Sequence, residues 1–279
     1  MKKKLSAISV YSVMIILSLL VLIPITIMVM DSLKTGSELS VNSWGIPRKP
    51  TFNNYLDLVR INGGEIVRCF MNSVYVSSTH TLLTLLISSL AAFAFAKYHF
   101  HGKNILFAVL IATMMIPAEI TMPSLFIMFS KVSLLNSYEI QIYPGIASVF
   151  TMFMLKQYME TIPDAVLESA KIDGATHLGL FRRIMLPLSA PAIGAMAILT
   201  FLGKWNDDLW PRTFLTKTEV MPVMVILPTL NVNPDGNIFI LQWEILLAGC
   251  TIVTIPIIIV FLIFQDAFMS GVTMGAVKE

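Results

Sequence analysis

From residue 8 to residue 30 the chain carries no charged side chain and consists mostly of Ile, Leu, Val and Met. About 20 such residues cross the hydrocarbon core of a bilayer as a helix. The run exceeds the ~7–15 residues of a signal-peptide core, and no small-residue cleavage site follows it. It is therefore expected to be a retained first span. Hydrophobic residues make up 56% of the 279 positions and charged residues 13%, half the ~25% of a soluble domain. These proportions define a multi-pass membrane protein. The net charge of +2 gives no reason to invoke nucleic acid.

Six segments reach or approach spanning length: 8–30, 70–96, 105–129, 140–155, 188–204 and 243–264. Several contain Pro or Gly (Pro24, Pro117, Pro123, Pro144, Gly194, Pro256), which membrane helices tolerate where neighbours satisfy the freed backbone groups. Lys2, Lys3 and Lys4 precede the first segment. Positive residues favour the cytoplasmic side, so the N-terminus is expected inside, and six crossings return the C-terminus there. The outside segments are then 31–69, 130–139 and 205–242. The long inside segment is 156–187.

That inside segment is polar and punctuated. Thr161 with Asp164 three positions on resembles a capping box, and Pro163 suits a first helical turn. Asp164 and Glu168 lie toward the positive end of the helix dipole. Ala165, Val166, Ala170 and Ile172 supply a small apolar surface. Gly174 permits a sharp backbone change. Arg182 and Arg183 mark the headgroup zone, and Pro187 leads into the fifth span. Two readings stand: an ordinary loop between spans, or a helical hairpin for docking a soluble partner.

The run Glu168-Ser169-Ala170-x-x-Asp173-Gly174-Ala175, with Phe181 and Leu186-Pro187 after it, resembles the EAA loop of importer-type ABC permeases. Further pieces match the sugar-importer branch, close to the second permease of maltose-type systems. They are Asn72-Ser73, AAFAFAKY at 91–98, Met115-Ile-Pro117, Trp205-Asn206 and GVTMGAVKE at 271–279. The likeness covers nearly the whole chain. Ser169 departs from the usual alanine, one small residue for another.

The resemblance implies an all-α, six-helix type I importer permease forming one transmembrane domain over 1–279, with its coupling loop at 156–187. The hairpin would enter a cleft on a nucleotide-binding subunit, with Glu168, Ser169, Ala170, Asp173, Gly174 and Ala175 at or near the contact. Glu168 would make a polar contact, Asp173 would order the hairpin and Gly174 would permit its bend. The tail 271–279 would reach between two ATPase subunits. The other implied partners are a second, homologous permease forming a heterodimer and an extracytoplasmic sugar-binding protein. The implied setting is the cell membrane.

No GxxxxGK[ST] phosphate loop is present, nor HExxH or GxSxG. Cys69 and Cys250 match no metal or redox spacing, and His80, His99, His101 and His177 form no metal pattern. The chain is thus expected to be a translocation subunit rather than an enzyme, with no cofactor of its own and with ATP and Mg²⁺ on a partner ATPase.

Polar groups inside a span usually face the bundle interior or water. Ser77, His80, Thr81, Thr84 and Ser88 share one helical face, with His80 roughly 15 Å into its span at 1.5 Å per residue. They read either as interhelical hydrogen bonds or as a substrate path. Glu119 after Pro117 is a gate or structural candidate. Trp205, Asn206, Asp207 and Trp210 read as an interfacial belt or as sugar contacts. Ala190 and Gly194 read as a packing surface. Two rival functions remain: an ABC permease for a non-sugar cargo, and a secondary transporter. The latter often shows a charged relay and related halves, and neither is evident here.

Overall fold

The computed structural model describes residues 2–231 and 242–276. Of Asn231-Val-Asn-Pro-Asp-Gly236, whose residue types are expected to form a turn, all but Asn231 lies outside them, as do the last three residues of the tail 271–279. The described residues are helical and contain no strand. Three helices are long and apolar enough to span a bilayer: α1 (Lys2–Ser32), α2 (Glu65–Lys97) and a C-terminal helix, Trp243–Ala276. Along α1, large apolar side chains from Val10 to Ile23 stand exposed, the surface that lipid would cover.

Two bent helix pairs are further candidate spans. α3 (Lys103–Thr113) meets α4 (Ala118–Lys131) at 90°. Pro117 sits at the bend with ψ of 132°, a proline at a break in the helical ladder. The segment expected as one helix over 105–129 is therefore broken. The fourth expected span, 140–155, is not a single helix either. A turn at Glu139–Ile142 is followed by α5 (Val149–Glu160), only about 18 Å long at 1.5 Å per residue. Pro144 and Gly145, the latter with φ of +88°, interrupt the helix between them. Ser148 then caps α5 by accepting from the Thr151 amide at 3.2 Å.

After α5 come α6 (Asp164–Ile172), α7 (His177–Leu188) and α8 (Ala190–Trp205); the last two are bent by 77°. Phe181–Met185 within α7 is a π-turn, closed by the Leu186 amide on the Phe181 carbonyl. The C-terminal helix is α9. By length and composition, the described residues supply three continuous spans, and five if each bent pair is one crossing.

The chain divides into two compact units, residues 1–68 with 225–255 and residues 69–224 with 256–279. In the first, Lys34 is fully buried and pairs with Asp31 at 2.6 Å. Asn54 donates to the carbonyls of Ser32 and Lys34 at 2.7 and 2.8 Å. In the second, Phe93 and Phe95 of α2, Leu155 and Met159 of α5, Leu167 of α6 and Met185 of α7 form one buried cluster. Gly194 of α8 lies so close to Ala267 of α9 that a Cβ there would collide with it, as expected of a small-residue packing surface.

Candidate functional site

The first candidate is the hairpin α6–α7. Its start differs from expectation. Thr161 does not cap α6: its hydroxyl bonds back to the Tyr158 carbonyl at 2.7 Å, at the end of α5. Pro163 occupies the cap position and makes no side-chain cap bond. The end matches expectation closely. Gly174 has φ of +81°. The Ala175 amide donates to the Ala170 carbonyl at 2.9 Å and the Gly174 amide to Lys171 at 3.0 Å. This double closure is the Schellman motif, in which glycine adopts the left-handed conformation at lowest cost. Thr176 then caps α7, accepting from the Gly179 amide at 3.2 Å.

One side of the hairpin is anchored. Leu167, Leu180, Phe181 and Met185 enter the buried cluster, with Ala170 and Ala175 packed at its edge. The anchoring side chain of α6 is thus Leu167, absent from the apolar surface expected from sequence. Ile172 is 87% and Leu178 68% exposed. Glu168, Ser169, Asp173 and Gly174 are also exposed, and Ser169 donates to the Val166 carbonyl at 3.0 Å. A Cβ at Gly174 would meet nothing within 4 Å among the described residues. The hairpin therefore presents the Glu168 and Asp173 carboxylates, small residues and two bare apolar side chains outward.

The residues that hold this hairpin from α2 were not among those expected from sequence. Lys97 ends α2 and donates to the Asp164 carboxylate at 2.7 Å and to the Ile162 carbonyl at 2.5 Å. Tyr98 shares a 2.7 Å hydrogen bond with His177 Nδ1. The Lys97 hydrogen bond, then its charge, holds the Asp164 carboxyl below its ordinary pKa, while burial pushes the Tyr98 phenol up. Both anchors lie in the AAFAFAKY run. Its lone basic residue beside an aromatic, at the end of a span, was the signal.

The second candidate is a cavity of about 520 Å³ lined by α2, α4, α5, α8 and the segments beside them. His80 and Thr84 line it, so two members of the polar stripe face a void. His80 Nδ1 lies 2.7 Å from the Ile142 carbonyl. Thr84 is 1% exposed and its hydroxyl has no partner among the described residues. Ser88 instead bonds the Ser148 carbonyl at 3.3 Å, a purely structural contact. Asp207 also lines the cavity, paired to Lys204 at 3.0 Å. Its other oxygen accepts from the Trp210 amide at 3.1 Å. Lys204 was missed, although an ionisable residue near the end of a span is the usual signal.

Three candidates stand elsewhere. Trp205 is 1% exposed and stacks on Phe201, ring centres 5.5 Å apart at 17°. It is a core residue, neither a belt residue nor a cavity wall. Asn206 is exposed at the end of α8. Glu119 is exposed in the first turn of α4, where the helix dipole favours a carboxylate; its neighbour Ala118 lines the cavity instead.

Residues 84–273 match the family model described as binding-protein-dependent transport system inner membrane component. The chain is 40% identical over 266 residues to the arabinooligosaccharides transport system permease protein AraQ of Bacillus subtilis (strain 168), covering 94% of this chain and 92% of that one. It is 27% identical to the diacetylchitobiose uptake system permease protein NgcG of Streptomyces coelicolor, covering 99% and 90%. In fold it is similar to a chain of a bacterial ABC transporter involved in import of the acidic polysaccharide alginate. The TM-score is 0.80 at 22% identity, over 95% and 97% of the two chains.

Proposed function

Because the chain belongs to the family of binding-protein-dependent transport system inner membrane components, we propose that it is the membrane-spanning permease subunit of an ATP-driven importer for a sugar or oligosaccharide. It is a translocation subunit, not an enzyme. The cargo class is supported by relatives named for arabinooligosaccharide and diacetylchitobiose transport. ATP and Mg²⁺ are bound by two separate ABC ATPase subunits. A second, similar permease completes the path, and an extracytoplasmic binding protein delivers the sugar. Both termini and the hairpin face the cytoplasm, which requires six crossings; the α5 region would supply the sixth with its flanking turns.

The observation that carries this reading is the exposed, glycine-terminated helix α6, held to the bundle by Leu167 and Lys97. An ATPase cleft closing on α6 would shift it, and the shift would pass to α2 and α5 through the shared cluster. Access to the cavity would alternate, outward on ATP binding and reset on hydrolysis.

The test is uptake into proteoliposomes holding this chain, its partner permease and the ATPases, with and without ATP. Uptake should require ATP and should favour sugars over amino acids. Glu168→Lys should leave the protein inserted but release the ATPase on co-purification. Sugar uptake without any ATPase would instead identify a secondary transporter.

A further inference from the structure

Resting on the reading above, we propose that the cavity formed by α2, α4, α5 and α8 is a subsite for an uncharged saccharide, and that the Lys204–Asp207 pair makes it reject anionic ones. Cavities of roughly 300–1,000 Å³ with a few polar groups on apolar walls are the usual form of small-ligand sites. Here the walls include Leu125, Phe150, Met196 and Leu199, which suit the C–H faces of a sugar ring.

The polar groups suit its hydroxyls. The Ile142 carbonyl can only accept, so His80 Nδ1, 2.7 Å away, carries the proton. The Nε2 of a neutral ring is then an acceptor. Thr84 offers a hydroxyl that is 1% exposed and has no partner among the described residues. Such a buried group is normally satisfied, and a ligand hydroxyl, both donor and acceptor, satisfies it in either role. Trp210 spends its indole N–H on the Ile140 carbonyl at 2.9 Å, which leaves its ring for apolar contact.

The charges decide between neutral and acidic cargo. The Lys204 and Asp207 side chains are 10% and 22% exposed and sit 3.0 Å apart. Their sum is zero. The Trp210 amide fixes Asp207 in place, so Lys204 cannot turn to a new anion without leaving a carboxylate behind. A ligand carboxylate would lose its hydration and find no uncompensated positive charge to replace it. A neutral hydroxyl-rich ligand faces no such loss.

The assembled transporter in nanodiscs, without the binding protein, is titrated calorimetrically with arabinotriose and with trigalacturonate. The wild type should bind the neutral trisaccharide at least about ten times more tightly than the acidic one, as expected of a desolvated charge left unpaired. Asp207→Asn frees Lys204 and should move that ratio toward the acid by about tenfold or more. Thr84→Val removes one hydrogen bond and should weaken the neutral ligand about fivefold. Thr200→Val, at another wall, repeats the hydroxyl test if either variant fails to assemble. Equal binding of the two probes, or affinities unmoved by the substitutions, would make the cavity a solvent gap. Uptake of arabinotriose by wild-type proteoliposomes separates the two readings. Uptake with unaltered selectivity in the variants overturns only the subsite; ATP-driven uptake of amino acids and of no sugar overturns the sugar permease reading as well.

Discussion

Lys97, the last residue of α2, holds Asp164, the first residue of α6, through an ammonium–carboxylate contact of 2.7 Å. The Lys97 side chain is 5% exposed and that of Asp164 75%, so the bridge has one foot in the bundle and one in solvent. The same α2 carries Thr84, thirteen residues back and about 20 Å away at 1.5 Å per residue. One unbroken helix thus joins the hairpin anchor to the cavity wall.

Replacing Lys97 with Met removes both the ion pair and the hydrogen bond to the Ile162 carbonyl. A charge-assisted bond to a partly buried donor is stronger than an exposed surface pair. ATP-driven uptake should fall about fivefold, with a smaller loss of ATP hydrolysis, because the hairpin still docks but moves α2 less. Exchanging the pair as Lys97→Asp with Asp164→Lys should recover part of the loss. Unchanged sugar uptake per ATP in Lys97→Met would remove Lys97 from the transmission path.

The same bridge fixes a pH dependence. The folded-state pKa of Asp164 is lowered, first by the Lys97 hydrogen bond and then by its charge. A depressed carboxylate contributes stability above its unfolded pKa and loses it as pH falls through the folded one. Protection factors of the α6 amides, which divide out the intrinsic exchange rate at each pH, should therefore hold steady from pH 7 down to about 4 and fall only below that. In Asp164→Asn the acid-induced loosening should vanish. Loosening near pH 6 in the wild type would place the control on another group.

The hairpin was legible where a single residue type is forced by geometry. Gly174 was readable because a left-handed residue after a short helix selects glycine. Its start was not, since Thr161 offers the same hydroxyl to the α5 terminus as to an α6 cap, and only packing decides. The polar stripe from Ser77 to Ser88 was readable by spacing, while its division into cavity wall (His80, Thr84) and interhelical bond (Ser88) depends on where Ser148 falls. Pro144 was visible in the fourth apolar segment, but not that it and Gly145 would leave only a short helix beyond them. Leu167 and Lys97 were hidden because an anchor is defined by its partners, which lie far away in sequence.

Gly174 gives a second handle on the hairpin. Its φ of +81° costs an L-residue about 1–2 kcal/mol, while space for a side chain is open. Gly174→Val should loosen the hairpin and weaken co-purification of the ATPase. Gly174→Asn, which tolerates the left-handed region, should retain most of it. A steric contact with the ATPase would instead make Asn as damaging as Val, so the pair of variants separates backbone strain from docking fit.

Trp205 tests the distinction between core and pathway. It packs edge-on to Phe70 at 5.7 Å and flat on Phe201 at 5.5 Å, and its indole nitrogen has no hydrogen-bond partner among the described residues. Removing so large a buried side chain costs about 3–5 kcal/mol, so Trp205→Ala should lower the melting temperature of the detergent-solubilised chain markedly. Trp205→Phe should cost much less than its lost volume suggests. It keeps an aromatic ring in the stack and removes a buried donor whose unpaired state itself costs about 1–3 kcal/mol. Neither substitution should change the ratio of neutral to acidic trisaccharide bound, because Trp205 does not line the cavity. Trp210→Ala, on the cavity wall and bonded to Ile140, should weaken both ligands. A melting temperature unmoved by Trp205→Ala, together with altered sugar selectivity, would return Trp205 to the pathway.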